Sequence, residues 1–178
     1  MKGMTNVFGE LDIKDRWNLK IIKVEPHEVK SYTPIGMAYV MMRNASFESK
    51  DISLSYKYAC VNTRDPFTVA CEEDSSACII EFPGLTLLET RLYIQDCLDM
   101  GNLSYMDGGT NTTAINPGRL GDPVINYVHF PAHMYQTLHT HPSHRVGLVI
   151  RGNGKIELDN KEFYDINEGE IFFMRRNC

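Results

Sequence analysis

The sequence predicts an all-β fold, a barrel or sandwich of short strands. Three observations lead there. Apolar and polar residues alternate with period two, the spacing of a strand that buries one face. Runs of this kind are cut at short intervals by Gly, Pro and Asn, most regularly beyond residue 124. Segments with a helical period are scarce.

Taken in order, residues 9–22 carry a weak helical pattern near the start. Apolar runs at 37–42, 67–71 and 78–82, with Pro and Gly between them, read as strands. In residues 51–61, Ile52, Leu54, Tyr56 and Tyr58 alternate with Ser53, Ser55 and Lys57, which describes a half-buried strand. Residues 85–98 fit two templates: Leu88, Arg91, Leu92 and Gln95 suit a helix, while 91–95 also alternates. Residues 101–123 contain five Gly, two Pro, three Asn and three Thr and read as a long irregular connection. Beyond it, 124–130 alternates until Pro131, and 137–141 reads as a strand stopped by Pro142. Residues 146–151 lead through Gly152-Asn153-Gly154 into 155–158, an Asn-Gly hairpin signal. Turns at 159–162 and 167–170 then separate strands at 163–166 and 171–174.

Composition narrows the function classes. A chain of 178 residues that is 43% hydrophobic can bury a real core. A net charge of −5, with no Lys/Arg stripe and no helix-turn-helix pattern, speaks against nucleic acid. No apolar run approaches a bilayer span, and the first residues lack a secretory core, so the expectation is a cytoplasmic protein without membrane contact. Five cysteines without a CxxC pair favour free thiols that serve packing. The six-residue gap between Cys71 and Cys78 is unlike a zinc knuckle.

Histidine placement carries the chemistry. Five of the six histidines are His129, His133, His139, His141 and His144. In an extended chain His139 and His141 project to one side, and two imidazoles aimed at one point are half of a first-row metal site. Arg145 follows closely. Its guanidinium has no acceptor and cannot bind a cation, but it suits a carboxylate or phosphate held by two hydrogen bonds.

The stretch His139-Thr-His141-Pro-Ser-His144-Arg145, followed by Val146-Gly-Leu-Val-Ile-Arg-Gly152, resembles the first motif of the cupin superfamily. The resemblance covers residues 124–178. It implies a jelly-roll β-barrel with the site inside, formed by residues 111–178. The strand content of residues 1–110 is compatible with a degenerate cupin, which would make a bicupin. Where the family supplies Glu or Gln as third ligand, this chain has Arg145. In the second motif Gly169 and the strand at 171–174 fit, Arg175 and Asn177 replace Pro and Gly, and the family's next histidine falls two positions past Cys178. The edge left there calls for a strand from the N-terminal region or from a second subunit, hence an expected homodimer.

The resemblance implies His139 and His141 as ligands to Fe, Mn, Ni or Zn. Arg145, Gln136, Tyr127 and Arg119 are the candidates for holding a small anionic molecule, with His133 and His144 as accessory residues. Tyr164 is a weaker candidate acid. Two functions follow from these residues. One is a metal-dependent enzyme of dioxygenase, decarboxylase or isomerase type. The other is a module that senses or sequesters a small acidic ligand without chemistry.

Overall fold

The structure, a computed structural model, describes residues 4–14, 18–86, 89–95, 100–158 and 160–177. In chain order the strands begin with β1 (Met4–Asn6), β2 (Glu10–Ile13), β3 (Leu19–Val24), β4 (Val29–Tyr32), β5 (Met37–Ser49), β6 (Ser53–Thr63), β7 (Phe67–Phe82) and β8 (Arg91–Gln95). They continue with β9 (Leu103–Ser104), β10 (Thr110–Ile115), β11 (Ile125–His129), β12 (Arg145–Leu148), β13 (Asn153–Glu157), β14 (Phe163–Asn167) and β15 (Ile171–Met174). Among the described residues the one helical piece is a 3-10 turn at Met106–Gly108. None of their helices is long and apolar enough to cross a membrane.

A large antiparallel sheet runs β2-β3-β7-β5-β6-β8, with β4 also on β7. Smaller sheets run β1-β15-β12, β11-β10-β9 and β13-β14. The large sheet is apolar on both faces. Leu19, Ile21, Met37, Tyr39, Cys78 and Ile80 meet Ile115, Ile125, Ile171 and Phe173 of the smaller sheets. On the other face Ile22, Val24, Val40, Met42 and Ile79 gather with Phe47 and Phe67, whose rings stack at 5.1 Å.

Burial on both faces explains why 9–22 misleads. Ile21 belongs to one core and Ile22 and Val24 to the other, so period two is lost although β2 and β3 pair as strands. The ambiguous stretch is a strand at Arg91–Gln95, and its residues 87–88 and 96–98 lie outside the described residues. Cys71 and Cys78 fall in different cores, so they cannot share a zinc ion. Burial pushes the Cys60 thiol up to about 12 and the Cys71 thiol up to about 11, which leaves both protonated and inert near neutrality. Cys97 and Cys178 lie outside the described residues.

One buried charge ties the layers together. The pairing of β5 with β7 jumps between Arg43 and Ala45, and Asn44 takes φ 51 there. Arg43, 6% exposed, donates to the carbonyls of Ile150 (3.1 Å) and Asp74 (2.9 Å), to the Asp74 carboxylate (2.8 Å) and to Glu168. Glu168 in turn accepts the Gly152 N–H at 3.0 Å. Arg43 thereby fastens the large sheet to the turns that follow β12 and β14.

The Gly152 N–H, and then the Arg43 guanidinium, hold the Glu168 carboxyl below its ordinary range. The sign of the pH effect follows. A depressed carboxyl lends stability that is complete above the unfolded-chain value, ~4.3. That contribution fades as pH falls through the lower folded value. Melting curves of the wild type and Glu168→Gln should therefore converge on acidification below about pH 4. A gap unchanged by acid would show that the carboxylate does not take part.

The region after β8 departs from expectation in three places. Residues 101–123 are not irregular throughout, because β9 and β10 lie within them, paired to each other and, for β10, to β11. Thr-rich β10 has little apolar alternation and is held by its neighbours on both sides. Gly152-Asn153-Gly154 is not a hairpin: β12 pairs with β15 and β13 with β14, so the chain changes sheet there, with Gly152 at φ 84. Residues 137–141 form no regular strand. The edge of β15 is covered from within the chain, where Met4 and Thr5 of β1 face Met174 and Phe173.

Candidate functional site

Residues 131–144 connect β11 to β12 without joining a sheet, and side chains pin them instead. The Thr137 N–H and hydroxyl donate to the Asp107 carboxylate at 2.7 and 3.1 Å. The Tyr135 hydroxyl donates to Glu157 at 2.9 Å. At the far end the Asn177 N–H donates to the His141 carbonyl at 2.7 Å, and the Arg176 N–H to His144 Nδ1 at 3.0 Å. These contacts replace the ladder that sequence periodicity suggested, and they keep the segment extended.

Extension has the predicted consequence. The rings of His139 and His141 lie on one side, centroids 4.7 Å apart and nearly perpendicular at 85°. Both residues are half-buried. Arg145, at the start of β12, reaches the pair: its Nη2 donates to His141 Nδ1 at 3.2 Å and its Nη1 to the Ser143 hydroxyl at 3.2 Å. Val146 and Leu148 pack on the core and pair with Phe173 and Ile171. Arg145 and Gly147 are of opposite phase, so they share the face turned away from that core with Phe172 and Met174. Phe172 lies over Gly147, where a Cβ would meet its ring.

The hydrogen bonds decide the tautomers. A guanidinium only donates, so His141 Nδ1 must accept and the ring proton of neutral His141 sits on Nε2. Burial, then the Arg145 and His139 charges, lower the His141 pKa and favour that neutral form. His139 Nδ1 lies 2.7 Å from the Thr137 carbonyl, which only accepts, so there the proton sits on Nδ1.

This donor set does not fit a metal ion. His141 has its Nδ1 lone pair engaged by Arg145 and its Nε2 protonated, which leaves His139 as one available imidazole. No group of three His, Cys, Asp or Glu able to hold an ion occurs among the described residues. The fixed positive charge beside the pair adds repulsion.

The other candidates have surroundings of their own. Arg119 is engaged by Asp122, with Nε and Nη2 each 3.2 Å from its carboxylate. His133 sits at φ 61 in an exposed turn, and His144 has its ring 5.3 Å from Phe173. Tyr127 is half-buried on β11 opposite Thr112, and the Tyr164 hydroxyl donates to Glu162 at 3.2 Å. Gln136 lies in the pinned segment, and its Nε2 is buried without a hydrogen-bond partner. Sequence reasoning missed Asp107 and Ser143. Ser143 was visible inside the histidine motif, whereas nothing local links Asp107 to a segment 30 residues away.

Comparison with known proteins bears on the fold. Residues 121–178, about a third of the chain, match the AraC-like ligand binding domain family, a cupin-like jelly roll. The fold is similar to the crystal structure of a protein of unknown function of the DUF861 family from Pseudomonas syringae pv. tomato str. DC3000. That likeness has a TM-score of 0.62 at 13% identity, over 97% of this chain and 77% of the other. No curated protein matches by sequence. The chain thus has a cupin-like, all-β fold, and its C-terminal third is similar to a ligand-binding domain.

Proposed function

We propose that this cupin-like protein binds a small anionic molecule at Arg145, with His141 and His139 as its polar neighbours, as a recognition module rather than a metal enzyme. The observation that carries this reading is the hydrogen bond from Arg145 to His141. It turns the histidine pair from a cation site into part of an anion site. Among the described residues no carboxylate pairs with Arg145, and the groups that meet it there are neutral, a hydroxyl and an imidazole. The arginine is exposed, and the pinned loop keeps its neighbours in place beforehand, which lowers the ordering cost of binding. The similarity of residues 121–178 to a ligand-binding family supports the same role.

The test is a thermal-shift and calorimetry screen of small carboxylates and phosphates against the wild type and Arg145→Ala. Charge-assisted hydrogen bonds are worth about 1.5–3 kcal/mol, so Arg145→Ala should weaken a bound anion by roughly tenfold to a hundredfold. An anion held equally well by the variant would end this reading.

The convergence of the two rings favours a second reading, in which Arg145 moves off Nδ1 and a divalent ion takes the pair. Near-stoichiometric Fe, Mn, Ni or Zn in purified protein, lost in His139→Ala with His141→Ala, would establish that reading over ours.

A further inference from the structure

Resting on that anion-binding reading, we infer that the ligand is a hydroxy acid, with a hydroxyl near its carboxylate that reaches the histidine pair. The two imidazoles are alike in residue type and opposite in polarity. In its neutral form His139, proton on Nδ1, presents Nε2 as an acceptor. His141, with Nδ1 filled by Arg145, presents Nε2–H as a donor. Rings 4.7 Å apart are close enough for one small molecule to reach both.

A simple carboxylate satisfies Arg145 and the His141 donor but leaves the His139 acceptor with nothing to receive. A neutral polyol serves both histidines and leaves the guanidinium without a counter-charge. A hydroxy acid satisfies all three. Its carboxylate accepts from Arg145, its hydroxyl hydrogen goes to His139 Nε2, and a lone pair of the same hydroxyl or of the carboxylate takes His141 Nε2–H. Sites that hydrogen-bond a ligand hydroxyl reject the analogue lacking it strongly, because the protein group is then left unpaired.

Two measurements test this. The first needs no ligand: long-range nitrogen–proton NMR of the imidazoles should show His139 protonated on Nδ1 and His141 on Nε2, with the His141 tautomer redistributed in Arg145→Ala. Finding His141 protonated on Nδ1 in the wild type overturns the inference. The second compares lactate, propionate and 1,2-propanediol by NMR titration. Lactate should bind at least tenfold more tightly than either, and lose that advantage over propionate in His139→Phe. If lactate and propionate bind equally and both are lost in Arg145→Ala, the anion site stands and the hydroxyl inference fails. If no carboxylate binds, or the diol matches lactate regardless of Arg145, the anion reading falls as well.

Discussion

Arg43→Met should lower the unfolding free energy by about 2–4 kcal/mol, although residue 43 lies far in sequence from the candidate site. The guanidinium is buried, and it donates to the carbonyls of Ile150, after β12, and of Asp74, within β7, as well as to two carboxylates. Asp74 and Glu168 are well exposed and rehydrate when the partner goes, so their ion pairs account for the smaller share. The larger share is the loss of hydrogen bonds to the Ile150 and Asp74 carbonyls and the strain on the bulge around Asn44. Arg43→Lys should recover little, because an ammonium cannot reach partners spread around a planar fork. Denaturant unfolding reads the effect. A Met variant within about 0.5 kcal/mol of wild type would mean that the hub is dispensable. Because Ile150 and Glu168 belong to the turns after β12 and β14, the variant should also loosen the β12–β15 pairing that carries Arg145.

Gly36→Ala should cost about 2–3 kcal/mol or more, by overpacking against main chain rather than against a side chain that can swing away. An alanine Cβ at residue 36 would lie 2.6 Å from the Pro83 carbonyl oxygen and closer still to that of Phe82. Neither backbone can yield cheaply. Phe82 ends β7, where it pairs with Met37, and the Ile35 and Gly36 N–H groups donate to the buried Glu81 carboxylate at 2.5 and 3.5 Å. The same carboxylate accepts the Tyr32 hydroxyl at 2.7 Å. Moving the β4–β5 connection outward would strip donors from Glu81, which is 2% exposed and has little water to replace them. A melting temperature equal to the wild type would show that the connection shifts freely. Gly84, whose Cβ would meet nothing, is the matched control.

The fold class was legible because period two is a local property: Ile52 to Tyr58 alternate whatever lies above them. The histidine pair was legible for a related reason. Extension of the chain through His139 and His141 places both rings on one side whether or not the segment pairs in a sheet. That is why the expected strand at 137–141 was absent and its consequence was present. Where both faces are buried, as in β3, the local code fails, because burial is set by two neighbouring layers and not by the strand itself.

Residue order alone established an extended, strand-built chain, two imidazoles side by side, and a fixed positive charge close behind them. Tertiary structure decided what these groups are for. Only folding brings Asp107 under Thr137, Asn177 beneath His141 and the Arg145 fork onto Nδ1. A proton's position on an imidazole depends on which partner stands within about 3 Å, and sequence spacing does not specify that distance.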